Sequence, residues 1–214
     1  MHLVLIGYRC AGKTTVGRMV ADRLGMRFFD TDKLVEAKAK MPIPRIFEEG
    51  GEGEFRRLES EVIEEISGGD GKVIAVGGGG VCRGKNVSSL KKKGRLFFLQ
   101  ITPEEVKKRM ESDPAASASR PPLTRDDVLE EARELMTRRE RFYKEAADFT
   151  IPAVDRPPEE IVEEIIKLRD VQPPKKENGA GRRRLTRDRS SDRTKKKRPL
   201  RRGDSTGDNF PREG

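Results

Sequence analysis

The chain has one histidine, His2, in 214 residues. Histidine is the side chain whose ordinary pKa suits it to acid and base work near neutrality. A single copy just ahead of the first apolar run therefore argues against histidine-based chemistry. Cysteine is almost as scarce. Cys10 and Cys82 are the two present, with no spacing that suggests a zinc site or a disulfide framework, which fits a reducing compartment. Long apolar runs are missing as well. Hydrophobic residues make up 33% of the sequence, and no stretch approaches the roughly 20 apolar residues that a membrane-spanning helix needs. No basic leader-like segment precedes the first apolar run, and there are no internal repeats. These absences predict a soluble, cytoplasmic protein with no membrane contact.

Charge, by contrast, is abundant. Charged residues reach 39% and the formal net charge is +9, but the excess is not spread evenly. Residues 1–171 hold 31 Lys/Arg against 31 Asp/Glu, whereas residues 172–214 hold 15 against 6. The high isoelectric point of 9.7 therefore describes the tail and not the body. The tail opens with Pro173-Pro174-Lys175-Lys176, carries basic clusters at Arg182–Arg184 and Lys195–Arg198, and has one aromatic, Phe210. It cannot bury enough apolar surface to fold alone and is expected to be disordered. Such a segment either contacts nucleic acid or another polyanion or is a solubilising or non-functional extension; both readings stay open. The predicted organisation is a body over 1–171 and a basic tail over 172–214.

The body is organised around its beginning. Leu3–Ile6 is an apolar run short enough to be a buried strand, and a helix-period pattern starts soon after it. Between them lies Gly7-Tyr8-Arg9-Cys10-Ala11-Gly12-Lys13-Thr14, the G-x-x-x-x-G-K-T pattern of a P-loop. Gly7 and Gly12 allow the turn that brings backbone N–H groups to phosphate oxygens. Lys13 can reach the β- and γ-phosphates, and the Thr14 hydroxyl can bind Mg²⁺. The helix that follows points its positive end at the same anion. A nucleotide-phosphate site is predicted here, with Mg²⁺ beside the phosphates. Cys10 lies inside this loop near a helix N-terminus that could lower its thiol pKa.

Further along, a helix over Lys13–Leu24 ends at Gly25, and a short strand over Met26–Phe29 delivers Asp30-Thr31-Asp32 at its carboxyl end. Ligands of open α/β sheets bind there. One carboxylate can hold a Mg²⁺-bound water and the other can accept from a substrate hydroxyl; either can also cap the helix expected at Lys33–Lys40. No Asp follows a later strand in Walker-B fashion, which leaves Asp30 as the metal-side candidate. A short helix over Pro42–Glu49 and a separate long helix ending at Ile66 are predicted next, with Arg56 and Glu59 one turn apart and able to pair. A strand over Lys72–Val76 runs into four glycines, Gly77–Gly80, a composition suited to close passage of backbone past a ligand. Strands at Arg95–Ile101 and Phe149–Ile151 complete a set of five. Helices are expected from Thr102, over Thr124–Ala146 and over Glu159–Arg169. Residues Ser112–Thr124, small and then Arg120-Pro121-Pro122, break all periodicity and read as a flap with one cation at its base or as a plain linker.

Taken together, GYRCAGKT at 7–14, FFDTD at 28–32, IPRIFEEGGEGEFRRLE at 43–59, VGGG at 76–79, RPPL at 120–123 and RRERFY at 138–143 resemble the shikimate kinases, over residues 1–171 only. The resemblance implies an α/β, nucleoside-monophosphate-kinase-like P-loop fold: a five-stranded parallel sheet flanked by helices, with a lid and a substrate-binding segment. It implies transfer of a phosphoryl group from ATP to the 3-hydroxyl of shikimate, in the cytoplasm, by a monomer. Matched position by position, Gly7, Cys10, Ala11, Gly12, Lys13, Thr14 and Thr15 would bind the nucleotide. Arg109 and Arg156 would flank its adenine, and Arg120 would close over its phosphates. Asp32, Arg56, Gly77, Gly78, Gly79 and Arg139 would bind shikimate, with Phe47 and Phe55 shaping the pocket and Glu59 holding Arg56. Two guanidiniums are well matched to a carboxylate. Lys13, Asp32 and Arg120 would be catalytic, and Thr14 and Asp30, the latter through water, would hold Mg²⁺. Between Arg109 and Arg120 the chain is longer than the family pattern, and RPPL replaces the commoner RPLL. A gluconate-type kinase would not need Arg56 paired with Arg139 beside Gly77–Gly79. A nucleotide-dependent regulatory protein that binds nucleic acid through its tail would lose its main activity with residues 172–214.

Overall fold

The computed structural model describes residues 1–112 and 128–174. Five strands, β1 (His2–Ile6), β2 (Arg27–Asp30), β3 (Lys72–Ala75), β4 (Gly94–Gln100) and β5 (Phe149–Pro152), form one sheet in the order β2-β3-β1-β4-β5. Every neighbouring pair is parallel, with Leu3 opposite Val73 on one side of β1 and opposite Arg95 on the other. Parallel strands covered on both faces should be apolar at consecutive positions, and Leu3, Val4, Leu5 and Ile6 are all 1% exposed or less.

The period of two divides that run between two cores. Leu3 and Leu5 face a layer containing Val16 and Val20 of α1 (Lys13–Leu24) and Ile161 and Ile165 of α7 (Pro158–Leu168). Val4 and Ile6 face Val62 and Ile63 of α3 (Ile43–Ile66) and Leu90 of α4 (Gly84–Lys91). The remaining helices are α2 (Thr31–Ala39), α5 (Pro103–Ser112) and α6 (Val128–Ala146). Among the described residues, no helix is long and apolar enough to cross a membrane.

The chain crosses over β1 on its way from β3 to β4. Crevices of open α/β sheets form at such reversals, outside the carboxyl ends of the strands. The loop after β1 opens there, with the ends of β2 and β3 beside it.

The two helices predicted around Gly50 are present as the two arms of α3, which are separated by a kink at Gly51, a residue with non-helical φ 68° and ψ −176°. Glycine adopts that geometry without the Cβ clash other residues meet, so the chain can turn there between the two arms. Several other local expectations change. The second strand is one residue later than predicted because the Met26 N–H donates to Ala21 O and closes α1. The 3₁₀ turn at Gly80–Cys82 and helix α4 were not anticipated; α4 begins with Gly84 and has no side-chain cap, so neither start signal was present. His2 lies within β1 and is fully buried. Residues 113–127, which contain most of the predicted flap, and residues 175–214 lie outside the described residues.

Candidate functional site

The turn after β1 is shaped by main-chain requirements. Gly7 has φ 142°, and a Cβ there would meet Leu99 O at 2.6 Å. Gly12 has φ 87° and occupies the N-cap position of α1 with no side-chain cap. The first-turn N–H groups of α1 are thus open to an anion. The Lys13 ammonium donates to Gly7 O at 2.9 Å and to Tyr8 O at 2.7 Å, which curls it back over the loop. Cys10 is also in the left-handed region, at φ 60°.

Beside this loop, the Thr14 hydroxyl donates to Asp30 Oδ2 at 2.7 Å, and Asp30 Oδ1 accepts from the Asp32 N–H at 3.0 Å. Asp30 therefore caps α2 and accepts from the threonine expected to bind a cation. Among the described residues there is no group of three or more His, Cys, Asp or Glu that could hold a metal by itself. The Thr14–Asp30 pair suits Mg²⁺, which takes one or two protein oxygens together with phosphate oxygens and water.

Cys10, Ala11, Gly12, Lys13, Thr14 and Thr15 line a cleft of about 650 Å³ together with Asp30, Asp32, Arg109 and Arg156. Arg109 spans the far side. It donates to Cys10 O at 3.0 Å and Ala153 O at 2.6 Å, and pairs with Glu105 at 2.6 Å. Arg156 donates to Pro152 O at 3.0 Å and Glu164 Oε2 at 2.7 Å. Glu164 is the leading reason its charge is held more firmly than usual.

The second half of the site adjoins Asp32. A Cβ on Gly77 would meet Asp32 Oδ1 at 2.5 Å and Glu59 Oε1 at 3.1 Å, and one on Gly79 would lie 2.5 Å from Arg56 Nη2. A Cβ on Gly78 would stand 3.7 Å from Arg139 Nη1. Two guanidiniums thus approach adjacent glycines, Arg56 from α3 and Arg139 from α6. Arg56 Nη1 donates to Glu59 Oε2 at 2.8 Å and Arg56 Nε to Glu52 Oε1 at 3.2 Å. Burial works against the Arg56 charge, but Glu59 and Glu52 outweigh it and hold the guanidinium protonated. Burial pushes the Glu59 carboxyl above the usual range, with Arg56 opposing. Phe47 and Phe55 stack with ring centroids 4.9 Å apart across the bend at Gly51, and Arg56 lies over the Phe55 ring at 5.1 Å.

The predicted residues thus come together in two adjoining groups, one around the phosphate loop and one around Gly77–Gly79. Arg120 lies outside the described residues. Sequence reasoning missed Tyr143, whose hydroxyl donates to Gly78 O at 2.5 Å and whose pKa is raised above the ordinary phenol value by burial. It also missed Arg83, which donates to Arg56 O at 3.2 Å. The one available signal was the place of Tyr143 in RRERFY, one helical turn past Arg139.

A family model described as "Shikimate kinase" matches residues 9–169. The chain is similar to a shikimate kinase of Caldanaerobacter subterraneus subsp. tengcongensis, at 40% identity over 78% of this chain and 94% of that protein. It is similar to one of Pseudomonas savastanoi pv. phaseolicola, at 37% identity over 81% and 99%. Among solved structures, shikimate kinase from Acinetobacter baumannii in complex with shikimate superposes with a TM-score of 0.73 at 33% identity, covering 78% of this chain and 91% of that one. A gluconokinase from Sinorhizobium meliloti, at 15% identity and a TM-score of 0.50, shares the fold alone.

Proposed function

The chain belongs to the shikimate kinase family, and from that premise we propose how its residues carry out the reaction. It is an enzyme that transfers the γ-phosphoryl group of ATP to the 3-hydroxyl of shikimate. The observation that carries the assignment of roles is the approach of Arg56 and Arg139 to Gly78 and Gly79 beside the phosphate-loop cleft. Two fixed cations there suit a carboxylate-bearing acceptor.

In this reading the N–H groups of Gly12–Thr15 and the Lys13 ammonium hold the phosphates, with Arg109 and Arg156 at the adenine end. In the structure the Lys13 ammonium donates to Gly7 O and Tyr8 O, contacts with which bound phosphates would compete. Thr14 and Asp30 would hold Mg²⁺, Asp30 through water. Bound there, the ion would neutralise charge on the phosphates. Arg56 and Arg139 grip the acceptor carboxylate, and Phe47 and Phe55 close one side of its pocket. Asp32, at the junction of the two groups, accepts a hydrogen bond from the attacking hydroxyl and orients it for in-line transfer. Arg120 is assigned to the phosphates. The segment 172–214 is an appendage to this catalytic body, and cytoplasmic ATP supplies the donor.

A coupled ADP-release assay with ATP, Mg²⁺ and shikimate, run on the full chain and on residues 1–171, tests the assignment. Turnover by both is expected. Nucleotide binding without turnover in either would refute it. Asp32→Asn should lower kcat; a rise in KM alone would limit Asp32 to binding.

A further inference from the structure

Arg9 lies in the middle of the phosphate loop and lines the cleft, and its side chain reaches to α6. Its Nη2 lies 2.9 Å from Glu131 Oε1 in an ion pair without hydrogen-bond alignment, neither atom having a hydrogen-bond partner among the described residues, and the two side chains are 11% and 0% exposed. Glu131 is followed directly by the buried Ala132, and Tyr8, beside Arg9, is 2% exposed. An ion pair in such surroundings is no bargain for stability, because desolvation offsets the attraction and an apolar pair would pack as well. What an apolar pair cannot do is hold two elements at a set distance through opposite charges.

The elements it joins are the phosphate loop and the helix that carries Arg139. Arg139 is eight residues beyond Glu131, about 12 Å along the helix axis, and Tyr143 is one turn further. Tyr143 ties the far end to Gly78 O at 2.5 Å. Gly78 is also where the loop meets the acceptor side, since a Cβ there would stand 3.7 Å from the Arg9 backbone N and 3.7 Å from Arg139 Nη1. Arg139 is therefore placed between two anchors, one of them made by the loop that would hold the phosphates.

We infer that Arg9 and Glu131 are positioning residues for phosphoryl transfer, whose ion pair fixes Arg139, and the acceptor it holds, at a set distance from the phosphate loop. The inference rests on the acceptor role given above to Arg139. Neither side chain touches the reacting atoms. In-line transfer tolerates little error in that distance, and displacements near 1 Å can cost about a hundredfold in rate.

The test is steady-state kinetics on the full chain with R9M/E131L, which keeps volume and leaves no buried charge unpaired, and with R9K, which keeps the cation. For R9M/E131L, shikimate kcat/KM should fall about tenfold or more while the KM for ATP stays within about twofold. R9K should recover part of the loss. Unchanged shikimate kcat/KM in the double variant, or equal losses toward both substrates accompanied by a lower Tm, would overturn the inference alone. No shikimate turnover by the unaltered chain would overturn it together with the assigned function.

Discussion

Glu59 holds Arg56 through one oxygen only. Oε2 accepts from Arg56 Nη1 at 2.8 Å, while Oε1 is buried with no hydrogen-bond partner among the described residues, facing Gly77. The carboxylate is thus wedged between the guanidinium and the glycine turn, and its position dictates where the Arg56 cation sits.

Glu59→Ala should therefore be costly twice. Removing one partner of a buried ion pair costs about 3–5 kcal/mol, and the 15% exposure of Arg56 places this case toward the lower end. We expect a clear drop in Tm and a rise in shikimate KM of about tenfold or more, since 1.4 kcal/mol is a factor of ten. Calorimetry and kinetics on one preparation would check both; an unchanged KM would show that Arg56 holds its place unaided.

Gly79→Ala is expected to act on the acceptor and spare the nucleotide. Its Cβ would collide with the Arg56 guanidinium, the mobile end of a long side chain. The fold should survive while shikimate KM rises about tenfold or more. Nucleotide affinity measured by titration should not change.

Asp30→Ala removes the partner of Thr14 and the cap of α2 together. The lost cap costs about 1 kcal/mol, or about 2–4 °C in Tm for a body of this size. The Mg²⁺ concentration giving half-maximal rate should rise. A normal Mg²⁺ response with lowered Tm would leave Asp30 a cap and nothing more.

His2 gives the body an acid-sensitive point. Ser67 O lies 3.3 Å from Nε2, so that nitrogen carries the proton, and Nδ1 is buried with no hydrogen-bond partner among the described residues. Burial lowers its pKa, partly offset by the Ser67 contact. Because the folded value is below the unfolded one, the stability tied to neutral His2 is complete above about pH 6.5 and is lost as pH falls through the folded pKa. His2→Leu should show a flatter Tm profile between about pH 7 and 5. Parallel profiles for the two proteins would remove His2 as the cause.

The phosphate side of the site was far more legible in the sequence than the acceptor side, and the reason is chemical. Gly7, Gly12, Lys13 and Thr14 act through main-chain geometry and short reach, so their spacing in the chain is their spacing in space. Asp30 and Asp32 were found because they end a strand. Arg56 and Glu59, one helical turn apart, could be paired by periodicity, but their convergence with Arg139 depends on how α3 and α6 pack, which no local pattern encodes. Arg9 and Tyr143 were hidden for the same reason, since each has its partner on an element distant in sequence. The strands were readable as apolar runs. Helix α4 was not, because it starts without a cap and follows four glycines, whereas Gly50-Gly51 marked the break between two helical arms.

The order β2-β3-β1-β4-β5 also governs how a nascent chain reaches this state. β1 is made first but sits in the middle, and its two neighbours begin at Lys72 and Gly94. Four consecutive buried aliphatics must wait unpaired through dozens of residues of synthesis before either flank can be covered. Long-range parallel pairing is slow and exposes apolar strands to association while it proceeds. Growth at low temperature, or early engagement by a chaperone, should therefore decide the yield of folded enzyme more than the final stability of the sheet does.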